Sequence, residues 1–165
     1  QTGPLARWMN SADLVPSSVR AVADELGVAE VETNPFRSIL IRGLEVLWAI
    51  EEAQRIIATY RPPARPALEV PAVAGIGHGC TEAPRGTLYH RYEIDASGTI
   101  TDAVIIPPTS QNQDAIETDL RDFVASHLDL DDHTLGHRCE QVIRNYDPCI
   151  SCATHFLRFS IDRRD

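Results

Sequence analysis

The sequence predicts an α+β fold that is predominantly helical and contains one β-hairpin. Apolar residues recur with a helical period over residues 36–60 and again over residues 113–128. Between these stretches, two alternating segments flank the turn residues Ala96-Ser97-Gly98, which is the pattern of a hairpin. The order of helices, hairpin and helices argues against a doubly wound sheet, and 165 residues suit one domain with its own core.

The helices of the first half have start and stop signals. Ser17-Ser18 offers candidate caps for a short helix that ends at Gly27. Asn34-Pro35 is a stronger start, because a capping side chain is followed by proline at the first helical position. The long helix then runs from about residue 36 to residue 60. The prolines that follow end it and make a stiff connector.

The middle of the chain contains the hairpin and the segments around it. The glycine-rich residues 75–79 are predicted to form a loop. Residues 82–86, taken alone, predict an ordinary turn with Arg85 in solvent. Strands are predicted over residues 87–95 and 99–106, and the second of them stops at two prolines.

Two further helices are predicted after the hairpin. Asn112 is a candidate cap for an amphipathic helix over about residues 113–128. A polar break at residues 129–133 separates this helix from a short one around residues 136–145.

The charge balance excludes some classes of partner. The chain has 24 acidic and 15 basic residues, which gives a formal net charge of −9 at pH 7. A nucleic-acid binder would present a basic patch, so we expect no nucleic-acid partner. No apolar run approaches the ~20 residues of a membrane-spanning helix, so we expect no direct membrane insertion.

The four cysteines divide into two singles and one close pair. Cys80 and Cys139 stand alone, and we expect both to be buried free thiols. Cys149 and Cys152 form a Cys-x-x-Cys pair, followed three residues later by His155. A structural zinc site usually has four ligands, and a thioredoxin-like site needs a βαβ context. This sequence has only one such pair and no βαβ context near it. A soft-metal site that shares ligands with another segment or chain fits both observations.

The residues that lead into this pair also favour a shaped site. Asp147-Pro148 precedes Cys149, and proline disfavours the helical region for the residue before it. We therefore expect the chain to approach Cys149 through an extended turn. Such a turn can direct both sulfur atoms to one side.

Together these segments resemble a known family. The signature Asp147-Pro148-Cys149-x-x-Cys152-x-x-His155 resembles the C-terminal motif of the large subunit of NiFe hydrogenases. The segments EAPRGTLYHRYEID and IIPPTSQNQ resemble two further blocks of that subunit, in the same order, and GPLAR and RGLEVLWAIEEAQRI resemble earlier blocks. The resemblance covers essentially the whole chain. It is strongest to the soluble cytoplasmic branch that is coupled to NAD(P) or a deazaflavin.

The resemblance implies a set of metal ligands. Cys149 would be a terminal thiolate on nickel, and Cys152 a thiolate that bridges nickel and iron. In the family the iron also carries carbon monoxide and two cyanides. His155 would bind a nearby magnesium, or a second iron, together with the backbone carbonyl of Ile105.

The resemblance also implies the residues around that centre. Arg85 would lie over the open coordination site with Pro84 and Asp147 beside it, and Thr109 would hydrogen-bond a cyanide. Catalysis would then rest on Cys149, Arg85 and Asp147. The reaction would be the reversible oxidation of dihydrogen to protons and electrons.

The partners and boundaries implied by the resemblance are those of a larger assembly. An iron–sulfur small subunit would take the electrons, and flavin-containing subunits would pass them to an acceptor such as NAD(P). Residues 1–155 would be the C-terminal portion of the large subunit. A maturation endopeptidase would remove residues 156–165. The resemblance to the soluble branch predicts a cytoplasmic location.

One departure from the family keeps an alternative open. The family has two more metal cysteines in an N-terminal Arg-x-Cys-Gly-x-Cys block, which this sequence lacks. We therefore expect a fragment that is inactive alone. The alternative is a small non-catalytic metal-binding or assembly module that uses Cys149, Cys152 and His155.

Overall fold

The computed structural model describes residues 1–148. Its main helices are α1 Pro4–Asn10, α2 Ser17–Glu25, α3 Ser38–Thr59, α4 Pro108–Gln111, α5 Gln113–Ala125 and α6 Asp132–Arg144. Its strands are β1 Gly75–Ala83, β2 Gly86–Ile94 and β3 Ile100–Ile106. The α+β class and the order of helices, sheet and helices are as the sequence predicted. None of the helices in residues 1–148 is both long and apolar enough to cross a bilayer.

The first three helices pack around one apolar core. Trp8 lies in this core, and its indole Nε1 donates to the carbonyl of Ala29 at 2.8 Å. Burial of such side chains is the main stabilising contribution to a domain of this size. The core residues are Leu5, Trp8, Val19, Ala23, Val28, Ile41 and Leu44.

The start of α3 confirms one predicted cap, and the start of α2 does not. The Asn34 side chain accepts a hydrogen bond from the Phe36 backbone N–H at 3.0 Å, and the turn Pro35–Arg37 leads into α3. The prediction that Ser17-Ser18 caps α2 is wrong. Pro16 occupies the capping position, and the Ser18 hydroxyl instead donates to Glu51 at 2.8 Å.

The glycine-rich segment is a strand, so the prediction of a loop is wrong. β1 pairs antiparallel with β2 from Gly75 opposite Ile94 to Ala83 opposite Gly86. The three glycines at residues 75, 77 and 79 point to one face, where an added Cβ would meet nothing within 4 Å. Backbone hydrogen bonds to β2 hold this edge strand, although its side chains are mostly exposed. Glycine composition alone therefore gave the wrong prediction.

The predicted hairpin is confirmed as β2 and β3 of a three-stranded antiparallel sheet in the order β1-β2-β3. Asp95 holds its turn by accepting hydrogen bonds from the backbone N–H groups of Ser97 and Thr99. The Ser97 hydroxyl and these backbone groups lower the pKa of the Asp95 carboxyl. Gly98 supplies the positive φ that the turn requires.

The two C-terminal helices are confirmed with shifted bounds. Asp131 caps α6 by accepting from the Thr134 N–H at 3.0 Å, so α6 starts four residues before the predicted Gly136. Cys139 is buried as expected, and burial raises the pKa of its thiol. Cys80 lies exposed on β1, so the expectation of a buried thiol there is wrong.

Candidate metal centre and its surroundings

Two predicted site residues that are far apart in sequence lie together in the structure. Arg85 is in the two-residue turn Pro84-Arg85 between β1 and β2, and Asp147 follows the end of α6. The Arg85 Nε lies 3.7 Å from the Asp147 Oδ2, which is an ion pair but too long for a hydrogen bond. The side chains are 36% and 46% exposed, so water screens this pair. The Arg85 Nε itself is shielded from solvent and lacks a hydrogen-bond acceptor within residues 1–148.

The backbone of Asp147 has an unusual conformation. Its φ is +47°, in the left-handed region, and it is the one non-glycine residue with positive φ among residues 1–148. The sequence predicted an extended turn here, and that prediction is wrong, although Asp147 does leave the right-handed helical region. The Asp147 N–H donates to the Arg144 carbonyl at 3.0 Å. Such strain costs about 1–3 kcal/mol and is concentrated at functional sites.

The end of α6 is fixed by the long helix α3. The Ser38 hydroxyl and the Arg42 Nη2 each donate to the Asn145 carbonyl at 3.0 Å. This carbonyl lies two residues before Asp147. The contacts therefore hold the chain that leads to the cysteine pair against α3.

Tyr146 forms a second tether beside Asp147. The Tyr146 side chain is buried, and its hydroxyl donates to the Asp119 Oδ2 on α5 at 2.5 Å. Burial, followed by this hydrogen bond, raises the pKa of Tyr146. The hydroxyl is therefore protonated at neutral pH, as a donor must be.

We expect Tyr146→Phe to lower the free energy of unfolding by about 1 kcal/mol or more, since it removes a hydrogen bond to a charged acceptor. Because the folded-state pKa is raised, the contribution of Tyr146 is fully present below the unfolded pKa of about 10. It is lost as the pH rises through the folded-state value. Thermal melts of the wild type and the variant should therefore differ at pH 7 and converge above about pH 10. A constant difference across this range would contradict the assignment.

The β1–β2 turn is attached to the N-terminal segment. Arg7 on α1 donates from Nη1 to the Ala83 carbonyl at 2.8 Å and from Nη2 to the Pro84 carbonyl at 2.9 Å. The sequence predicted no role for Arg7, although it ends the segment GPLAR that contributes to the resemblance. Arg7 is separated from Ala83 by 76 positions and from Pro84 by 77, and no local sequence pattern reveals a contact over such a distance.

Thr2 and Asn112 form another connection that the sequence did not reveal. The Thr2 N–H donates to the Asn112 Oδ1 at 2.7 Å, and the Asn112 Nδ2 donates to the Thr2 carbonyl at 2.9 Å. Asn112 does precede α5, but the prediction that its side chain caps this helix is wrong. The Asn112 side-chain amide instead forms two hydrogen bonds with the backbone of Thr2. The Thr2 Oγ1 also accepts from the Thr87 N–H at 2.9 Å, next to the turn.

We expect Gly3→Ala to lower the melting temperature of the assembled protein by about 4 °C or more. Gly3 has φ +119° and ψ −161°, a region that other residues rarely adopt. An added Cβ would also lie 2.8 Å from the Arg85 carbonyl oxygen. Gly43→Ala is the matched control, because Gly43 lies inside α3 with nothing within 4 Å, and alanine favours helix. Calorimetry in which Gly3→Ala melts like the wild type would contradict the close approach.

Some of the remaining predicted site residues lie within residues 1–148, which the structure describes, and others lie after them. Ile105 lies in β3 opposite His90, Pro84 is exposed in the β1–β2 turn, and Thr109 is half-buried in α4. Gln111 connects α4 to the sheet, since its Nε2 donates to the Thr87 carbonyl at 2.7 Å. The remaining predicted ligands lie outside the described residues, and these are Cys149, Cys152 and His155. The roles assigned to all of these residues stay predictions.

The surroundings fit a metal centre completed by the segment after Pro148. Within residues 1–148, no three His, Cys, Asp or Glu side chains gather into a possible metal site. The sequence that follows supplies two thiols and an imidazole, and thiolates are soft ligands that suit nickel and iron. The unsatisfied Arg85 Nε and the strained Asp147 both lie at the approach to this segment.

Comparison with known proteins gives the class of protein. Residues 1–155 match the family model described as nickel-dependent hydrogenase, and the chain belongs to this family. It is 34% identical over 158 residues to the sulfhydrogenase 1 subunit alpha of Pyrococcus furiosus, covering 94% of this chain and 37% of that protein. It is 32% identical over 174 residues to the NAD-reducing hydrogenase HoxS subunit beta of Cupriavidus necator, covering 95% and 34%.

A solved structure has the same fold. The chain aligns with a crystal structure of an NAD⁺-reducing [NiFe]-hydrogenase in the H₂-reduced state with a TM-score of 0.69 and 26% identity. The alignment covers 94% of this chain and 36% of the other. The chain therefore spans about a third of the length of the relatives that it matches.

Proposed function

We propose that this chain is the C-terminal portion of the large subunit of a NiFe hydrogenase, whose whole subunit catalyses the reversible oxidation of dihydrogen. The observation that carries the proposal is the contact between Arg85 and Asp147. It joins the EAPRG block to the chain that immediately precedes Cys149, in a member of the nickel-dependent hydrogenase family. Both residues are ones that the family resemblance assigns to catalysis.

The ligands proposed for the metals follow from their chemistry. Cys149 and Cys152 would hold nickel and iron through thiolates, and the iron would also carry carbon monoxide and cyanide. His155 and the Ile105 carbonyl would bind magnesium or a second iron. When bound, the nickel–iron centre supplies the polarisation of dihydrogen that no protein side chain can provide.

The protein groups around the centre have separate tasks. The guanidinium of Arg85 would place a fixed positive charge at the reaction site. Asp147 restrains the guanidinium of Arg85 by charge. The Cys149 Sγ is the base proposed to accept a proton from dihydrogen. Thr109 would orient a diatomic ligand by hydrogen bonding.

The proposed boundaries and partners are those of a matured, multi-subunit enzyme. Residues 1–155 would remain after an endopeptidase removes residues 156–165, and a mature protein whose intact mass includes residues 156–165 would contradict this. An iron–sulfur small subunit and flavin-containing NAD(P)-reducing subunits would carry the electrons away in the cytoplasm. The relative from Cupriavidus necator, an NAD-reducing hydrogenase subunit, supports this choice of acceptor.

The proposal is tested on the assembled protein that contains this chain. We expect nickel and iron in the purified complex, infrared bands from carbon monoxide and cyanide, and reduction of a viologen dye that depends on hydrogen. Bound nickel or zinc without these bands and without hydrogen-dependent dye reduction would overturn the proposal in favour of a metal-binding module.

A further inference from the structure

Arg7 uses its whole hydrogen-bonding capacity at one place. A guanidinium has five N–H donors, and all five have acceptors here. Nε and Nη2 bind the two carboxylate oxygens of Glu45 on α3 at 2.7 and 2.8 Å. Nη1 binds the Glu82 Oε2 at 2.9 Å, and the remaining two donors bind the carbonyls of Ala83 and Pro84. Hydrogen bonding to Glu45 is the main cause that raises the pKa of Arg7.

Two of these contacts lie directly before Arg85 in the chain. The two carbonyl acceptors belong to consecutive residues, and the next residue is Arg85. On the other side, the Cα of Gly3 leaves no room for a Cβ next to the Arg85 carbonyl. Helix α1 and its N-terminal flank therefore contact three successive carbonyls of the chain, those of Ala83, Pro84 and Arg85. Arg7 is itself held in place by a bidentate ion pair with Glu45 on the 22-residue helix α3. We call this set of Arg7 contacts the anchor of the turn.

We propose that Arg7 is a positioning residue for Arg85: it fixes the β1–β2 turn so that the Arg85 guanidinium has one orientation over the reaction site. This inference rests on the proposed function. The five donors of Arg7 bind Glu45, Glu82 and the carbonyls of the two residues directly before Arg85. Its effect on catalysis therefore passes through Arg85. Misplacement of a catalytic group by about 1 Å is enough to reduce a rate about a hundredfold.

Lysine at position 7 separates charge from geometry. It keeps the positive charge, but its three donors radiate from one nitrogen and cannot bind both Glu45 oxygens and two successive carbonyls. We expect Arg7→Lys to reduce hydrogen-dependent turnover about ten- to a hundredfold while nickel content stays at the wild-type level. It should also shift the infrared bands of carbon monoxide and cyanide in the same direction as Arg85→Lys does, because both variants change the position of the positive charge at residue 85.

The decisive measurement is a double-mutant comparison in the assembled enzyme. If Arg7 acts only through Arg85, then adding Arg7→Lys to Arg85→Lys should cause no further loss of turnover. Arg55→Lys is the control, since Arg55 pairs with Glu52 on the exposed surface of α3, and its turnover should be unchanged. Hydrogen exchange of the peptide that covers residues 80–90 should be faster in Arg7→Lys than in the control.

Each outcome distinguishes this inference from the proposed function. If Arg85→Lys reduces turnover and Arg7→Lys does not, the positioning role is wrong and the proposed function stands. Full additivity of the two substitutions, or loss of nickel in Arg7→Lys, also overturns the positioning role. If Arg85→Lys itself leaves turnover unchanged, catalysis does not depend on the orientation of the Arg85 guanidinium, and the positioning role of Arg7 is wrong. Should Arg7→Lys not fold, Glu45→Gln weakens the same anchor without changing its volume, and it should show a smaller loss in the same direction.

Discussion

Cys149→Ser is expected to abolish nickel binding by the assembled protein. A cysteine binds metal as a thiolate, and its pKa of about 8.5 lets a metal ion displace the proton. A serine hydroxyl holds its proton far more tightly and is a hard oxygen ligand, which suits nickel in a sulfur site poorly. Cys152→Ser should lose nickel as well and should also lose iron, because the Cys152 thiolate is proposed to hold both metals. Elemental analysis for nickel and iron per chain measures both effects.

The chain offers a matched control for this experiment. Cys80 is a free thiol exposed on the edge strand β1, so Cys80→Ser changes the same atom without touching the proposed site. We expect its nickel and iron content to equal that of the wild type. Full nickel occupancy in Cys149→Ser would show that the cysteine pair is not the nickel site. The assignment of the motif would then have to be abandoned.

Arg85→Lys should reduce turnover by about two to three orders of magnitude while metal content survives. Both side chains are cationic, so the loss measures the planar and rigid placement of charge rather than charge itself. The contact with Asp147 at 3.7 Å is too long and too exposed to contribute much stability, so folding should be nearly unaffected. Turnover with hydrogen, nickel content and melting temperature together separate the catalytic effect from a structural one.

The Arg85→Lys experiment has a matched control on α3. Arg55→Lys on α3 makes the same chemical change away from the turn and should keep its turnover. If Arg85→Lys retains wild-type turnover, catalysis does not depend on the planar guanidinium at the β1–β2 turn. If it loses nickel, Arg85 acts in assembly of the centre rather than in the reaction.

The parts of the fold that were predictable are those with local causes. Asn34-Pro35 contains within two residues the cap and the fixed φ of the turn Pro35–Arg37, which leads into α3. The β2–β3 turn likewise has its own signal, because Asp95 and Gly98 determine it together. Strand β1 was missed because its stability comes from pairing with β2, and alternating glycines give no apolar pattern.

The candidate site was predictable only where a motif exists. Arg85 and Asp147 were predicted as site residues because each belongs to a recognisable block, and the structure brings the two side chains together. The contacts of Arg7 and Asn112 were not predicted because their partners are distant in sequence. Asn112 also follows the ordinary pattern of a helix cap, and that local signal concealed a tertiary role.

The pairing of Thr2 with Asn112 has a consequence for the order in which this chain folds. It joins residues 110 positions apart, whereas the hairpins close over only a few residues. Each doubling of loop length adds about 0.6 kcal/mol of closure entropy, and local contacts form first in time. We therefore expect the segment around Thr2 to dock after the sheet and the long helix have formed. The β1–β2 turn would then gain its final shape in that late step, so a chain with native secondary structure would still lack the formed turn that carries Arg85.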